Sequence, residues 1–222
     1  MSVMPPERNH ARPNDDHPWW TLIGPGLAAI IGLFMLTALY RTDLTAPIQM
    51  DLGLSGLELL MEGVVAYLIA AVIAFPLGFL LGARFLTAVT LPAIGVMLIG
   101  ALLIAFAGGA GMFLVGRVLG GLGAGAAAGV TTALVRGIRH QRSIAAAVVA
   151  ALGVLAAVVA PFVNQLISDA LSFRLTYLAA VPFSFAALIA GAVSGIVLFV
   201  VARRPAQPGP HGMPYPSPGP HR

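Results

Sequence analysis

The chain has 222 residues, of which 59% are hydrophobic and only 9% charged, with a formal net charge of +4. A soluble domain carries about 25% charged residues, so composition excludes a water-soluble fold and the chain reads as an integral membrane protein. The positive charge is carried by arginine alone, since there is no lysine, and at helix ends it marks the inner side of a membrane rather than a nucleic-acid surface.

Residues 1–18 are polar, with Arg8, Arg12, Asp15 and Asp16, and are expected to form a disordered cytoplasmic tail. Trp19 and Trp20 then mark a membrane interface. The apolar run behind them is too long for a signal-peptide core and has no A-x-A cleavage site, so it is read as a retained first helix, about residues 19–46. A loop holding Asp51 and Gly53 leads to a second helix at about 56–82, with Glu62 inside it. A short turn around Arg84 precedes the third, about 86–107, and Gly108-Gly109-Ala110-Gly111 links it to the fourth, about 112–135. The basic cluster Arg136, Arg139, His140 and Arg142 follows. A fifth helix is expected at about 144–168, interrupted at Pro161, and a sixth at about 175–202. Arg203 and Arg204 close a membrane domain over 19–204, and residues 205–222, rich in Pro, Gly and His, form a second disordered cytoplasmic tail.

Each run meets the requirement of about 20 residues for a spanning helix. With the N-terminus inside, the inner side holds Arg8, Arg12, Arg84, Arg136, Arg139, Arg142, Arg203, Arg204 and Arg222, and the outer side only Arg41 and Arg174. Six spans return the C-terminus to the same side, and the asymmetry places the protein in a cell (inner) membrane with both termini cytoplasmic. The lysine-free composition points to a GC-rich bacterial genome.

The fourth helix dominates this organisation. From Phe113 to Thr132 its one charge is Arg117, and Gly121, Gly125 and Gly129 recur every four residues, so they share one helix face. A face without side-chain bulk lets another backbone approach closely. An arginine left in lipid costs roughly 2.5–3.5 kcal/mol on insertion scales, so this helix is expected inside the bundle, with Arg117 provided with a partner or water.

Signatures of catalysis are missing. There is no G-x-S-x-G elbow, no H-E-x-x-H, no P-loop and no TVGYG-like filter, and all five histidines fall outside the spans. Without cysteine there is neither a disulfide framework nor a thiolate metal site. The chain is therefore read as a non-enzyme without cofactor, metal or nucleic-acid partner. The remaining polar groups are Arg41 and Asp43 at the outer end of the first helix, with Glu62 and Arg117 within the second and fourth. All four fall in the outer third of the membrane, which suggests a buried charge network. Structural pairing and snorkelling compete with a functional role, more strongly for Arg41 and Asp43 than for Glu62 and Arg117. Asn164 and Gln165 on the fifth helix either contact a solute or bridge helices.

The stretch GRVLGGLGAGAAAG, from Gly116 to Gly129, resembles the fourth-helix arginine motif R-x-x-x-G-x-G-a of major facilitator superfamily transporters, above all the fourteen-helix drug:proton antiporter branch. The residues from Pro47 to Ala70 resemble that branch's first outer loop and second helix, and those from Ser172 to Leu188 its entry into helix six. The resemblance covers about residues 30–202. It implies an all-α half-transporter fold: a six-helix bundle of two inverted three-helix repeats, with helices one and four lining a cavity and Arg117 as the cavity arginine. Four departures accompany it. There is one bundle where the family uses two, and the loop Gly82 to Val89 keeps only Arg84 and Phe85 of the cytoplasmic latch. Pro161 follows Ala160 rather than glycine, and the usual first-helix acid falls at Thr37.

Two functions follow as expectations. In the first, two such bundles, as a homodimer or with a separately encoded half, move a small solute, with Glu62 and Asp43 as proton acceptors tuned by Arg117. In the second, the chain is a non-transporting accessory subunit docked in a larger membrane complex. A truncated, inactive gene product is a third. Membrane lipids are partners in every case.

Overall fold

The computed structural model describes residues 18–37, 48–82, 84–138, 142–170 and 173–202. Both expected tails, apart from Pro18, lie outside the described residues, as do Arg41 and Asp43.

Among the described residues, six helices are long and apolar enough to cross a membrane, and the protein is a multi-pass membrane protein. We number them α1 to α6. Helix α1 begins as a 3-10 turn, Trp19–Leu22, and continues as Ile23–Thr37. Helix α2 covers Gly56–Gly82, α3 Leu86–Ala105, α4 Ala110–Gly137, α5 Arg142–Ala170 and α6 Phe173–Ala202. Residues 48–52, expected as loop, form a helical turn. Gly53 ends it at φ +68°, and Leu54 N–H bonds back to the Gln49 carbonyl at 3.1 Å. That bond and the left-handed glycine are the signature of a Schellman stop. Ser55 then starts α2 through a capping box with Glu58.

Prolines do not break these helices. Pro76, Pro92, Pro161 and Pro182 all lie inside them, so α5 is continuous where an interruption at Pro161 was expected. A membrane helix tolerates proline because neighbouring helices and local adjustments re-satisfy the freed carbonyl.

Helix α4 is the most enclosed of the six and α5 the least. The first packs against α2, α3 and α1; α1 in turn packs against α4, α6 and α5, and α3 pairs with α6. The arrangement around α4 rests on glycine. A Cβ at Gly121, Gly125 or Gly129 would fall within 2.3 Å of the carbonyl oxygens of Tyr67, Ala71 and Phe75 respectively. The offset along the chain is constant (121−67, 125−71 and 129−75 are each 54), so α2 and α4 run parallel in register. On another face, Gly116, Gly120 and Gly123 meet Gly100, Ile104, Ala93 and Met97 of α3. Backbones approach this closely because association in lipid depends on packing rather than on expelling water.

At the end of the bundle where α2 and α4 start, the connection between α1 and α2 packs inward. Ile48, Leu52 and Leu54 join one buried cluster with Ala107, Phe113 and Tyr177. Asp51 forms an ion pair with Arg174 on α6, both sides half exposed. Such pairs contribute about 0–1 kcal/mol, whereas truncating a buried Leu or Ile to Ala costs about 2–5 kcal/mol. Ile48→Ala is therefore expected to lower the unfolding temperature clearly and Asp51→Asn hardly at all, as thermal unfolding in detergent would show.

Candidate functional site: a buried arginine where four helices meet

Arg117 lies two turns into α4, counted from Ala110 at 3.6 residues per turn, and its side chain is fully buried. It continues the glycine register. The offset of 54 that sets Gly121 against Tyr67 sets Arg117 against Gly63, and here a long side chain occupies the seam. Its Nε donates a short hydrogen bond to the Gly63 carbonyl of α2. Nη1 donates to the Met35 carbonyl of α1 at 2.8 Å and, more weakly, to the Tyr177 hydroxyl of α6 at 3.4 Å. The guanidinium carbon stands 4.4 Å from the centre of the Tyr67 ring, within cation–π range. Tyr67 is itself held by its hydroxyl, which donates to the Gly32 carbonyl at 2.7 Å. One cation thus ties α1, α2, α4 and α6 together.

The backbone of α2 is specialised here. Leu59–Val65 is a π-helical stretch containing both Glu62 and Gly63. Such stretches are uncommon and concentrate at functional sites. Glu62 is half buried, and its Oε2 is enclosed without a hydrogen-bond partner. The same holds for Nη2 of Arg117. The expected charge network is therefore not closed between these two residues. Arg117 is bound by neutral oxygens and a ring, and no carboxylate among the described residues is within ion-pair distance of it.

The other expected site residues divide in two. Gly121, Gly125 and Gly129 form the seam with α2, as their spacing implied. Arg41 and Asp43, and the side chains of Asn164 and Gln165, lie outside the described residues; the backbone of the last two belongs to α5. Sequence reading missed Gly63, Met35, Tyr67 and Tyr177. Two of them contribute only carbonyls, which any residue type supplies. The tyrosines carried a usable signal, since a phenol in an apolar helix needs a polar partner for its hydroxyl.

Two clefts flank α1. One, of about 320 Å³, lies among α1, α2 and α4 and includes Gly32, Tyr67 and Gly125. The other, of about 430 Å³, lies between the starts of α1 and α5. Among the described residues, no three His, Asp or Glu side chains gather as a metal site would require. The arrangement offers a fixed, fully buried cation and, on the neighbouring helix α2, an enclosed carboxylate oxygen of Glu62 without a hydrogen-bond partner, in a bundle where α4 packs glycine to backbone. No protein-family model and no curated protein matches the chain.

Proposed function

We propose that the chain is one half of a two-bundle membrane transporter of the major facilitator kind, working as a homodimer or with a second six-helix chain. The observation that carries this reading is the complete burial of Arg117 at the junction of four helices. A pure scaffold gains little net stability from a cation whose hydrogen bonds are offset by several kcal/mol of desolvation, and ionisable groups within spans mark transport pathways.

The packing pattern supports the same reading. Exchanging α1, α2 and α3 for α4, α5 and α6 leaves the main pairings unchanged: α4 with α2 and α3 becomes α1 with α5 and α6. The α1–α4 and α3–α6 pairs map onto themselves. Two three-helix repeats would pack in this way. In this reading both termini are cytoplasmic, Arg117 and Glu62 lie toward the outer face, and transport follows from rocking of two bundles about a shared cavity. The solute is small and either apolar or cationic.

The test is the composition of the particle extracted into lipid nanodiscs, followed by uptake of a lipophilic cationic dye in proteoliposomes. A dimer, or a pair with another six-helix chain, that takes up the dye is the expected result. A single copy held among unrelated subunits, without uptake, rejects it in favour of an accessory subunit.

A further inference from the structure

Helix α2 is held at two places, and a plain α-helix would not satisfy both. At its start, Ser55 and Glu58 close the capping box, and Leu59, 2% exposed, belongs to the buried cluster with Ile48, Leu54 and Phe113. Further on, the Tyr67, Ala71 and Phe75 carbonyls are locked in register against the α4 glycines, and Tyr67, also 2% exposed, belongs to the same cluster. Leu59 and Tyr67 are eight residues apart. At 3.6 residues per turn, positions eight apart point about 80° away from each other, and positions seven apart only about 20°. The chain between the two anchors is thus one residue too long for an α-helix that buries both.

The π-helical stretch Leu59–Val65 takes up that residue. Its hydrogen bonds run i→i+5 rather than i→i+4, a rare form found mostly as single turns inside α-helices. Arg117 reaches into the middle of it, its Nε donating to the Gly63 carbonyl. Glu62 is the neighbour of that glycine, with its Oε2 enclosed and without a hydrogen-bond partner. Leu60 and Met61 are about half exposed, at 49% and 50%.

We infer that this stretch is a one-residue register switch in α2, held in its π form by the Arg117–Gly63 hydrogen bond. On release it closes to α, and the residues ahead of it turn by one position, about 100°, relative to the part locked to α4. The turn draws Leu59 from its cluster and carries the Glu62 carboxylate partway round the helix. Packed interfaces with two discrete arrangements convert small local changes into large ones in this way. The inference concerns how α2 is held and does not depend on the transport reading.

Two measurements on the full chain test it. The first is thermal unfolding in detergent of two single-residue deletions. Removing Met61 leaves Leu59 and Tyr67 seven residues apart, so the shortened helix satisfies both anchors as plain α. Its unfolding temperature is expected within about 4 °C of the parent's. Removing Ile73, similarly exposed at 59% but inside the glycine register, is expected to lower it several times as far. The second is a distance measurement by electron paramagnetic resonance in lipid nanodiscs. The chain has no cysteine, so spin labels at Leu60→Cys and Ile99→Cys report the distance from the switch to α3. Labels at Leu80→Cys and Ile99→Cys give the reference, and all three positions are exposed. A helix with its side chains is about 10–12 Å across, so the turn carries the Leu60 label by several ångströms. Arg117→Met is expected to shift the first distance and leave the second unchanged. Should Arg117→Met not insert, the deletion pair decides alone. A Met61 deletion as damaging as the Ile73 deletion, an unchanged Leu60–Ile99 distance in Arg117→Met, or an equal shift of both distances would each overturn the switch.

Discussion

Gly125→Ala is expected to destabilise the protein although alanine is the better helix former. Alanine gains up to about 1 kcal/mol over glycine in a helix interior. Against that, the new Cβ would lie 2.1 Å from the Ala71 carbonyl oxygen and 2.6 Å from the Ala71 Cα. These are backbone atoms of α2 and have no rotamer to change. Helix α2 must move, and the register it shares with α4 fixes what moves with it: the Tyr67 and Phe75 carbonyls on the same seam, and the Gly63 carbonyl bound to Arg117. Overpacking of this kind costs about 1–3 kcal/mol, and Gly125→Val should cost more than Gly125→Ala. Thermal unfolding in detergent, read by circular dichroism, checks this. Gly95→Ala, where the space is open, provides the comparison and should be neutral or stabilising. An unfolding temperature for Gly125→Ala equal to or above that of the parent chain would contradict the seam.

Substituting Arg117 separates fold from function. Arg117→Ala leaves a cavity among four helices, and cavities from large side chains cost about 2–5 kcal/mol. It also strips partners from the Gly63 and Met35 carbonyls and the Tyr177 hydroxyl. Arg117→Met retains most of the volume and removes a buried cation. Hydrogen bonds to a charged group contribute about 1.5–3 kcal/mol each, comparable with the several kcal/mol of desolvation that the methionine avoids. The expected result is near-parental stability for Arg117→Met and a clear loss for Arg117→Ala. On the transport reading, both lose uptake in proteoliposomes. Full uptake by a stable Arg117→Met would remove the cation from the mechanism and with it the main support for that reading.

Much of the architecture was legible because lipid imposes simple rules. A span must be about 20 apolar residues of helix with every backbone group satisfied internally, so hydropathy alone located six helices to within a few residues at most ends. The four-residue glycine spacing identified a packing face of α4, because helix periodicity places those positions together whatever the fold. The same rules misjudged Pro161, which local propensity treats as a break and a membrane bundle accommodates. They also read the stretch holding Asp51 and Gly53 as a loop, although residues 48–52 form a helical turn and Ile48, Leu52 and Leu54 are buried.

What the chain determined by itself, then, is that it carries six helices able to span a membrane, that α4 carries a bare face, and that Arg117 must be sheltered. Periodicity, hydropathy and the cost of a charge in lipid are local properties and are written residue by residue. Which groups shelter Arg117 was decided by tertiary structure. Charge alone favours a carboxylate partner such as Glu62, but the parallel register of α2 and α4 puts the Gly63 carbonyl at the guanidinium and the Tyr67 ring beneath it. The same packing brings Met35 and Tyr177 from helices far apart in the chain. A backbone carbonyl has no sequence signature and a helix register is set by all its contacts at once, so only the assembled bundle could choose them.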